Sequence, residues 1–204
     1  MTPVSEPKDS KKKSRFSRRG LLQGLGITSA TVGLTEQEAQ AQAAGRVMSG
    51  TQSITLTVNN KPMKVEVEPR ETLLDTLRFK MDHTGAKRVC DRGTCGACTM
   101  IMNNRVVYAC TVLAVDAVGK KIETIESLTA GKTHPIVPAF VINDAQQCGY
   151  CTPGFVMAAK GFLDRNPNPT YDQVKDGLGG NLCRCGTYVG VRQAVLEAAK
   201  NLKA

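Results

Sequence analysis

Eight cysteines in two quartets constrain this chain more than any other feature. The first quartet is Cys90, Cys95, Cys98 and Cys110, spaced C-x4-C-x2-C-x11-C. The second is Cys148, Cys151, Cys183 and Cys185, spaced C-x2-C-x31-C-x-C. Three thiols of the first set fall within the nine residues CDRGTCGAC, and only Arg184 separates Cys183 from Cys185. Any fold must hold these sulfurs close together and still answer the mutual repulsion of their ionised forms.

Three chemistries compete for such a set. An even cysteine count in an exported chain suits disulfides. However, Cys183 and Cys185 are badly placed to bridge each other, and three more thiols crowd one loop. Structural zinc suits C-x2-C pairs and fits the second set. It fits the first set poorly, since three ligands there come from one loop rather than from two separated pairs. A 2Fe–2S cluster suits the first set directly, because C-x4-C-x2-C with a distant fourth cysteine is the plant-type spacing. Gly93 and Gly96 allow a loop to curl around a cluster, so that backbone N–H groups can point at the sulfurs. Gly149, Gly154 and Gly186 offer the second set the same freedom.

The remaining pattern divides the chain. ITLTVNNKPMKVEVE alternates apolar and polar residues on both sides of Asn59-Asn60, which predicts a tight hairpin. ETLLDTLRFK follows as a helix, with Thr72 as its N-cap and Leu73, Leu74 and Leu77 on one face. After the cysteine loop, TMIMNNRVVYACTVL predicts a second hairpin turning at Asn103-Asn104, and KKIETIESL one more short strand. From Leu128 onward, HPIVPAFVIND, PGFVMAAKGFLDR, YDQVKDGLGG and YVGVRQAVLEAAKNLK each carry helical spacing. Pro153 stands in a first turn, and Gly179-Gly180 is expected to end the third of these helices. The second quartet's two cysteine pairs fall in loops just ahead of helices.

The N-terminus reads differently. KKKSRFSRRGLLQGLG joins a basic stretch and the pair Arg18-Arg19 to a weakly apolar, uncharged segment. EQEAQAQAAG then offers the small-residue spacing of a signal peptidase site, with cleavage after Ala41 or Ala43. This resembles a twin-arginine signal, which implies export of an already folded chain to the periplasm. The net charge is +9, of which residues 1–45 supply seven Lys/Arg and four Asp/Glu, leaving +6 for the rest. An oxidised 2Fe–2S centre on four thiolates carries about −2, so two of them reduce that excess to about +2. The basic residues are scattered and no aromatic residues interleave with them, which argues against nucleic acid as a partner. No run of 18 apolar residues occurs that could span a membrane.

CDRGTCGACT, YACTVLA, QCGYCTPGF and GNLCRCGTY, in this order, resemble the iron–sulfur subunit of the molybdenum hydroxylases, the xanthine dehydrogenase and aldehyde oxidoreductase family. The likeness covers residues 53–204, and with the leader it points toward a periplasmic aldehyde oxidoreductase. It implies an α+β fold, and together with the leader and the residue patterns above it divides the chain into four parts. A signal peptide spans 1–43 and a linker 44–52. A plant-ferredoxin-like β-grasp domain spans 53–127, and a four-helix bundle domain binding a second 2Fe–2S cluster spans 128–204. It implies that Gln147 and Cys185 approach a molybdopterin on a separate large subunit. The first cluster would pass electrons outward, to FAD on a further subunit or to another acceptor. No catalytic residue falls on this chain, because the catalytic base belongs to the partner. A stand-alone 2Fe–2S carrier or metal-stabilised interaction protein is the alternative. His83 and His134 read as structural, and Arg92 and Arg184 lie beside ligands.

The leader yields a direct test. Arg18→Lys with Arg19→Lys keeps the charge and loses the paired guanidinium groups. Cell fractionation of this variant is expected to find the chain retained in the cytoplasm with its iron in place, and normal export would overturn the twin-arginine reading.

Overall fold

The computed structural model describes residues 48–202, so the leader and the first part of the linker lie outside the described residues. The described chain opens with β1 (Gln52–Val58) and β2 (Lys61–Val67), paired antiparallel from Gln52↔Val67 to Val58↔Lys61. Asn59 and Asn60 turn the chain at φ 50° and 64°, the left-handed pair that a two-residue hairpin of matching twist requires. Asn59 also anchors the sheet. Its side chain donates to Thr124 Oγ1 at 2.8 Å and accepts from Thr124 N at 2.9 Å.

Helix α1 (Leu73–Lys80) starts where the Thr72 hydroxyl accepts from Asp75 N at 3.1 Å. It buries Leu73, Leu74 and Leu77 completely. Strands β3 (Thr99–Met102) and β4 (Arg105–Tyr108) form the second hairpin, with Asn103 and Asn104 at φ 47° and 62°. Strand β5 (Lys121–Glu123) completes a sheet ordered β2-β1-β5-β3-β4, parallel to β1 and antiparallel to β3. The remainder of KKIETIESL is a 3₁₀ turn, Ile125–Leu128, rather than strand, and it delivers Leu128 into the helical core.

Four helices follow: α2 (Ile136–Ile142), α3 (Thr152–Leu163), α4 (Tyr171–Gly177) and α5 (Tyr188–Asn201). Pro153 sits in the first turn of α3. A reciprocal pair of bonds between Thr170 and Gln173 starts α4. That helix ends at Gly177, short of Gly179-Gly180, with Leu178 buried as its cap. Gly180 serves a different purpose: its carbonyl accepts from Tyr108 Oη at 3.0 Å, and a side chain there would collide with that hydroxyl. Among the described residues no helix is long and apolar enough to cross a membrane.

Two apolar clusters form the core. One gathers Leu56, Val58, the α1 leucines, Met100 and Ile122 under the sheet. The other gathers Ile136, Phe140, Phe155, Met157, Val174, Val191 and Val195 between the helices. Strand β3 is the wall between them, because alternate side chains point to opposite faces. Met100 enters the sheet core, and Ile101 enters the helical core. Helix α3 lies against this wall, with Gly161 over Val106 and Ile101.

At its N-terminal end α3 meets the first cysteine loop. A Cβ on Gly154 would strike the Gly96 carbonyl and stand 3.0 Å from Ala97 Cα. Both obstacles are backbone, so the loop itself would have to move. Gly154→Ala is therefore expected to lose about 1–3 kcal/mol through overpacking. A lower urea midpoint for the iron-loaded chain checks this, and an unchanged midpoint would show that the loop yields freely.

Candidate metal centres

The first quartet is held by backbone curvature. Asp91, Gly93 and Gly96 adopt φ of 59°, 73° and 70°, which wraps residues 90–98 into a cup. Gly93 N donates to Cys110 Sγ at 3.3 Å and Thr94 N donates to Cys90 Sγ at 3.4 Å. Cys110 is brought in by a 3₁₀ turn, Ala109–Thr111, directly after β4. Cys98 and Cys110 are buried, whereas Cys90 and Cys95 are half-buried.

The second quartet stands at the starts of two helices. Cys151 is the residue before α3, and Cys183 and Cys185 lie in the loop that leads into α5. Helix N-termini carry partial positive charge and favour anions. Gly149 and Gly186, at φ 79° and 83°, bend the two loops. Cys183 is buried and Cys151 half-buried, while Cys148 and Cys185 are exposed.

All eight thiols are free. They lie in neighbouring pairs: Cys90 with Cys95, Cys98 with Cys110, Cys151 with Cys183 and Cys148 with Cys185. Acidities differ sharply within this arrangement. Burial pushes Cys90 up, but hydrogen bonds from Thr94, the Arg92 backbone and Cys95 outweigh it and bring the thiol down to about 6. Burial pushes Cys98 up to about 12, and the charges of Cys110 and Cys95 add to that rise. Burial, then Cys183, pushes Cys151 up to about 12. For Cys183 the burial effect is outweighed by Thr187, with help from Cys151 and the Gly186 backbone, leaving it at about 7. In three of the pairs one thiol, Cys98, Cys151 or Cys185, is pushed up in part by its neighbour's charge, so those pairs resist a second negative charge.

These observations bear on which group fits. Among the described residues no three His, Cys, Asp or Glu side chains converge on one point. Sulfurs in two pairs per quartet instead match the needs of a two-iron centre. A cavity of about 460 Å³ adjoins the second quartet, lined in part by Cys95, Ala97, Cys148, Cys151, Cys183 and Tyr188. Thr152 Oγ1 is buried beside Cys151 without a hydrogen-bond partner, a donor left over for a group the protein chain does not supply. Both quartets therefore fit a 2Fe–2S cluster.

The comparisons with known proteins agree. A 2Fe–2S iron-sulfur cluster binding domain matches residues 52–152, and a [2Fe-2S] binding domain matches residues 124–196. The nicotine 6-hydroxylase small subunit of Paenarthrobacter nicotinovorans is 44% identical over 145 residues, 71% of this chain and 88% of the relative. The chain belongs to the iron–sulfur subunit family of the molybdenum hydroxylases. Within this family, the aldehyde oxidoreductase iron-sulfur-binding subunit PaoA of Escherichia coli is 35% identical over 206 residues, covering 92% of this chain and 90% of the relative. In the crystal structure of quinoline 2-oxidoreductase from Pseudomonas putida 86, one chain superposes with a TM-score of 0.69 at 39% identity, over 76% of this chain and all of that one.

The two quartets of this iron–sulfur subunit touch through their loops. Leu182 N donates to the Cys95 carbonyl at 3.0 Å. Buried Asn181 donates to the Gly96 carbonyl at 2.9 Å and to Thr99 Oγ1 at 3.2 Å. Sequence spacing gave no sign of this bridge, because its partners are far apart along the chain. Gln147 is exposed beside Cys148 and makes no side-chain hydrogen bond among the described residues. Arg92 Nε donates to the Cys90 carbonyl at 3.1 Å. His83 bonds the Met81 carbonyl and His134 accepts from Ile136 N, so both serve loop structure away from the thiols.

Purified from cells in its native state, the mature subunit is expected to contain about four iron atoms and four acid-labile sulfides, as two 2Fe–2S centres require. Metal and sulfide analysis checks this, and one zinc with half that iron would reassign the second quartet.

Proposed function

We propose that this subunit carries electrons from a molybdopterin site on a larger partner subunit to a flavin subunit or other acceptor, during oxidation of an aldehyde. The ligands are Cys90, Cys95, Cys98 and Cys110 for one cluster and Cys148, Cys151, Cys183 and Cys185 for the other. Bound there, each 2Fe–2S cluster supplies reversible one-electron storage.

The observation that carries the reading is the arrangement of the thiol pairs along one line of contacts. Cys148 and Cys185 are exposed beside Gln147, the end that a partner's redox group can approach. Cys151 and Cys183 face inward. Leu182, next to Cys183, donates its N–H to the Cys95 carbonyl, so a short covalent and hydrogen-bonded route joins the quartets. The Cys90 loop then reaches the surface at Asp91, Arg92 and Thr94. Asn181, Thr99 and the close approach of Gly154 hold the joint in place.

The surface around the second quartet supports a large partner. Val89, Tyr150 and Leu182 line the same cavity and are 56%, 51% and 54% exposed, and exposed apolar groups clustered in this way mark interaction sites. The free Gln147 amide offers donors and acceptors suited to a pterin edge. The aldehyde substrate is supported by likeness to PaoA, an aldehyde oxidoreductase subunit. Other relatives act on N-heterocycles by name, which makes those the first substrates to assay beside aldehydes. The twin-arginine-like leader supports export of the folded complex to the periplasm.

The native complex tests this. The subunit is expected to co-purify with a molybdenum-containing chain and, when isolated, to oxidise no aldehyde while still accepting electrons from dithionite. A lone, monomeric native chain would overturn the reading. Gln147→Ala is expected to keep both cluster signals while slowing turnover or loosening the partner, since a lost hydrogen bond costs about 0.5–1.5 kcal/mol. Normal turnover and assembly in that variant would remove Gln147 from the contact.

A further inference from the structure

Thr187 occupies the N-cap of α5, with φ −73° and ψ 22°. A threonine there ordinarily accepts from an N–H two or three residues on, a contact worth about 1 kcal/mol. Thr187 makes no such bond. Its Oγ1 instead lies 3.2 Å from Cys183 Sγ and 3.3 Å from the Ala145 carbonyl. The helix forgoes a cap, and the hydroxyl faces a sulfur and a carbonyl instead.

We propose that the Thr187 hydroxyl donates a hydrogen bond to Cys183 that raises the electron affinity of the cluster held by the second quartet. This rests on Cys183 being an iron ligand, as read above. A hydroxyl has one proton, and here it has two neighbours that can accept it. While Cys183 is a thiol, its S–H can donate to Oγ1 and Oγ1–H to Ala145. Once Cys183 binds iron its sulfur has no proton, so the contact survives only if Thr187 donates to the sulfur. A charged acceptor draws the stronger bond, and the proton turns from Ala145 to Cys183. When one electron is added, the ligand sulfurs become more negative, and this bond strengthens. No covalent bond forms or breaks, and the proton stays on Oγ1. Hydrogen bonds to cluster sulfurs are a known lever on potential.

The geometry separates this role from simple support. Cys183 N donates to Tyr188 Oη at 2.9 Å, so the ligand's backbone is held independently of the Thr187 side chain. Removing the hydroxyl therefore changes what the sulfur receives more than where it sits.

The test is an EPR-monitored redox titration of the purified complex carrying Thr187→Val, with Thr187→Ala as a less bulky second variant and Thr187→Ser as rescue. In Val and Ala, one of the two midpoint potentials is expected to fall by up to about tenfold in electron affinity, about 59 mV for a one-electron couple. The other is expected to stay, and Ser to restore the first. Urea midpoints measured alongside identify a purely structural role, which would lower stability and leave both potentials in place. Unmoved potentials at full iron content, or a Ser variant that behaves like Val, would overturn the Thr187 assignment. A wild-type complex with only one iron–sulfur signal would instead overturn the ligand set itself.

Discussion

Everything in this subunit depends on how closely two backbones approach at Gly96. The first cysteine loop passes the start of α3 with Gly154 against the Gly96 carbonyl, and on its other side that carbonyl accepts from Asn181. A side chain at Gly96 would meet both the Asn181 amide and the Gly180 carbonyl. The loop that wraps one quartet is thus also the floor under the other. Strand β3 extends the same logic into the core by feeding Met100 to one apolar cluster and Ile101 to the other.

Electrostatics explains why the two quartets are built from different elements. Four thiolates need donors as well as iron. The β-grasp loop finds them in backbone N–H groups exposed by left-handed turns at Asp91 and Gly93. The helical part finds them in the starts of α3 and α5, supplemented by the Thr187 hydroxyl. In both sites burial alone would keep thiols protonated, and specific donors reverse this at Cys90 and Cys183.

Much of the architecture was legible in the residues because it is written locally. Asn59-Asn60 and Asn103-Asn104 announce their hairpins, since asparagine tolerates the positive φ that such turns need. Thr72 announces α1 through its hydroxyl, and the cysteine spacings announce the ligand sets. What stayed hidden is set by distance along the chain. The parallel pairing of β1 with β5 has no short-range signature. Neither does the bond from Leu182 to Cys95. Gly180 looked like helix punctuation, but its lack of a side chain is used by Tyr108 arriving from β4. Nor does anything local announce that the Thr187 hydroxyl turns toward Cys183 and Ala145 rather than capping its helix.

The outward placement of Cys148 and Cys185 also gives the subunit a shelf life. Thiolate sulfur at the surface is where oxidants and stray metals act first, and this pair is exposed while Cys98, Cys110 and Cys183 are sheltered. A copy whose outer pair is never covered is open to damage at its most accessible cluster ligands, whereas a covered copy is protected there. Any surface that seats over Cys148 and Cys185 therefore shelters them as well as meeting them.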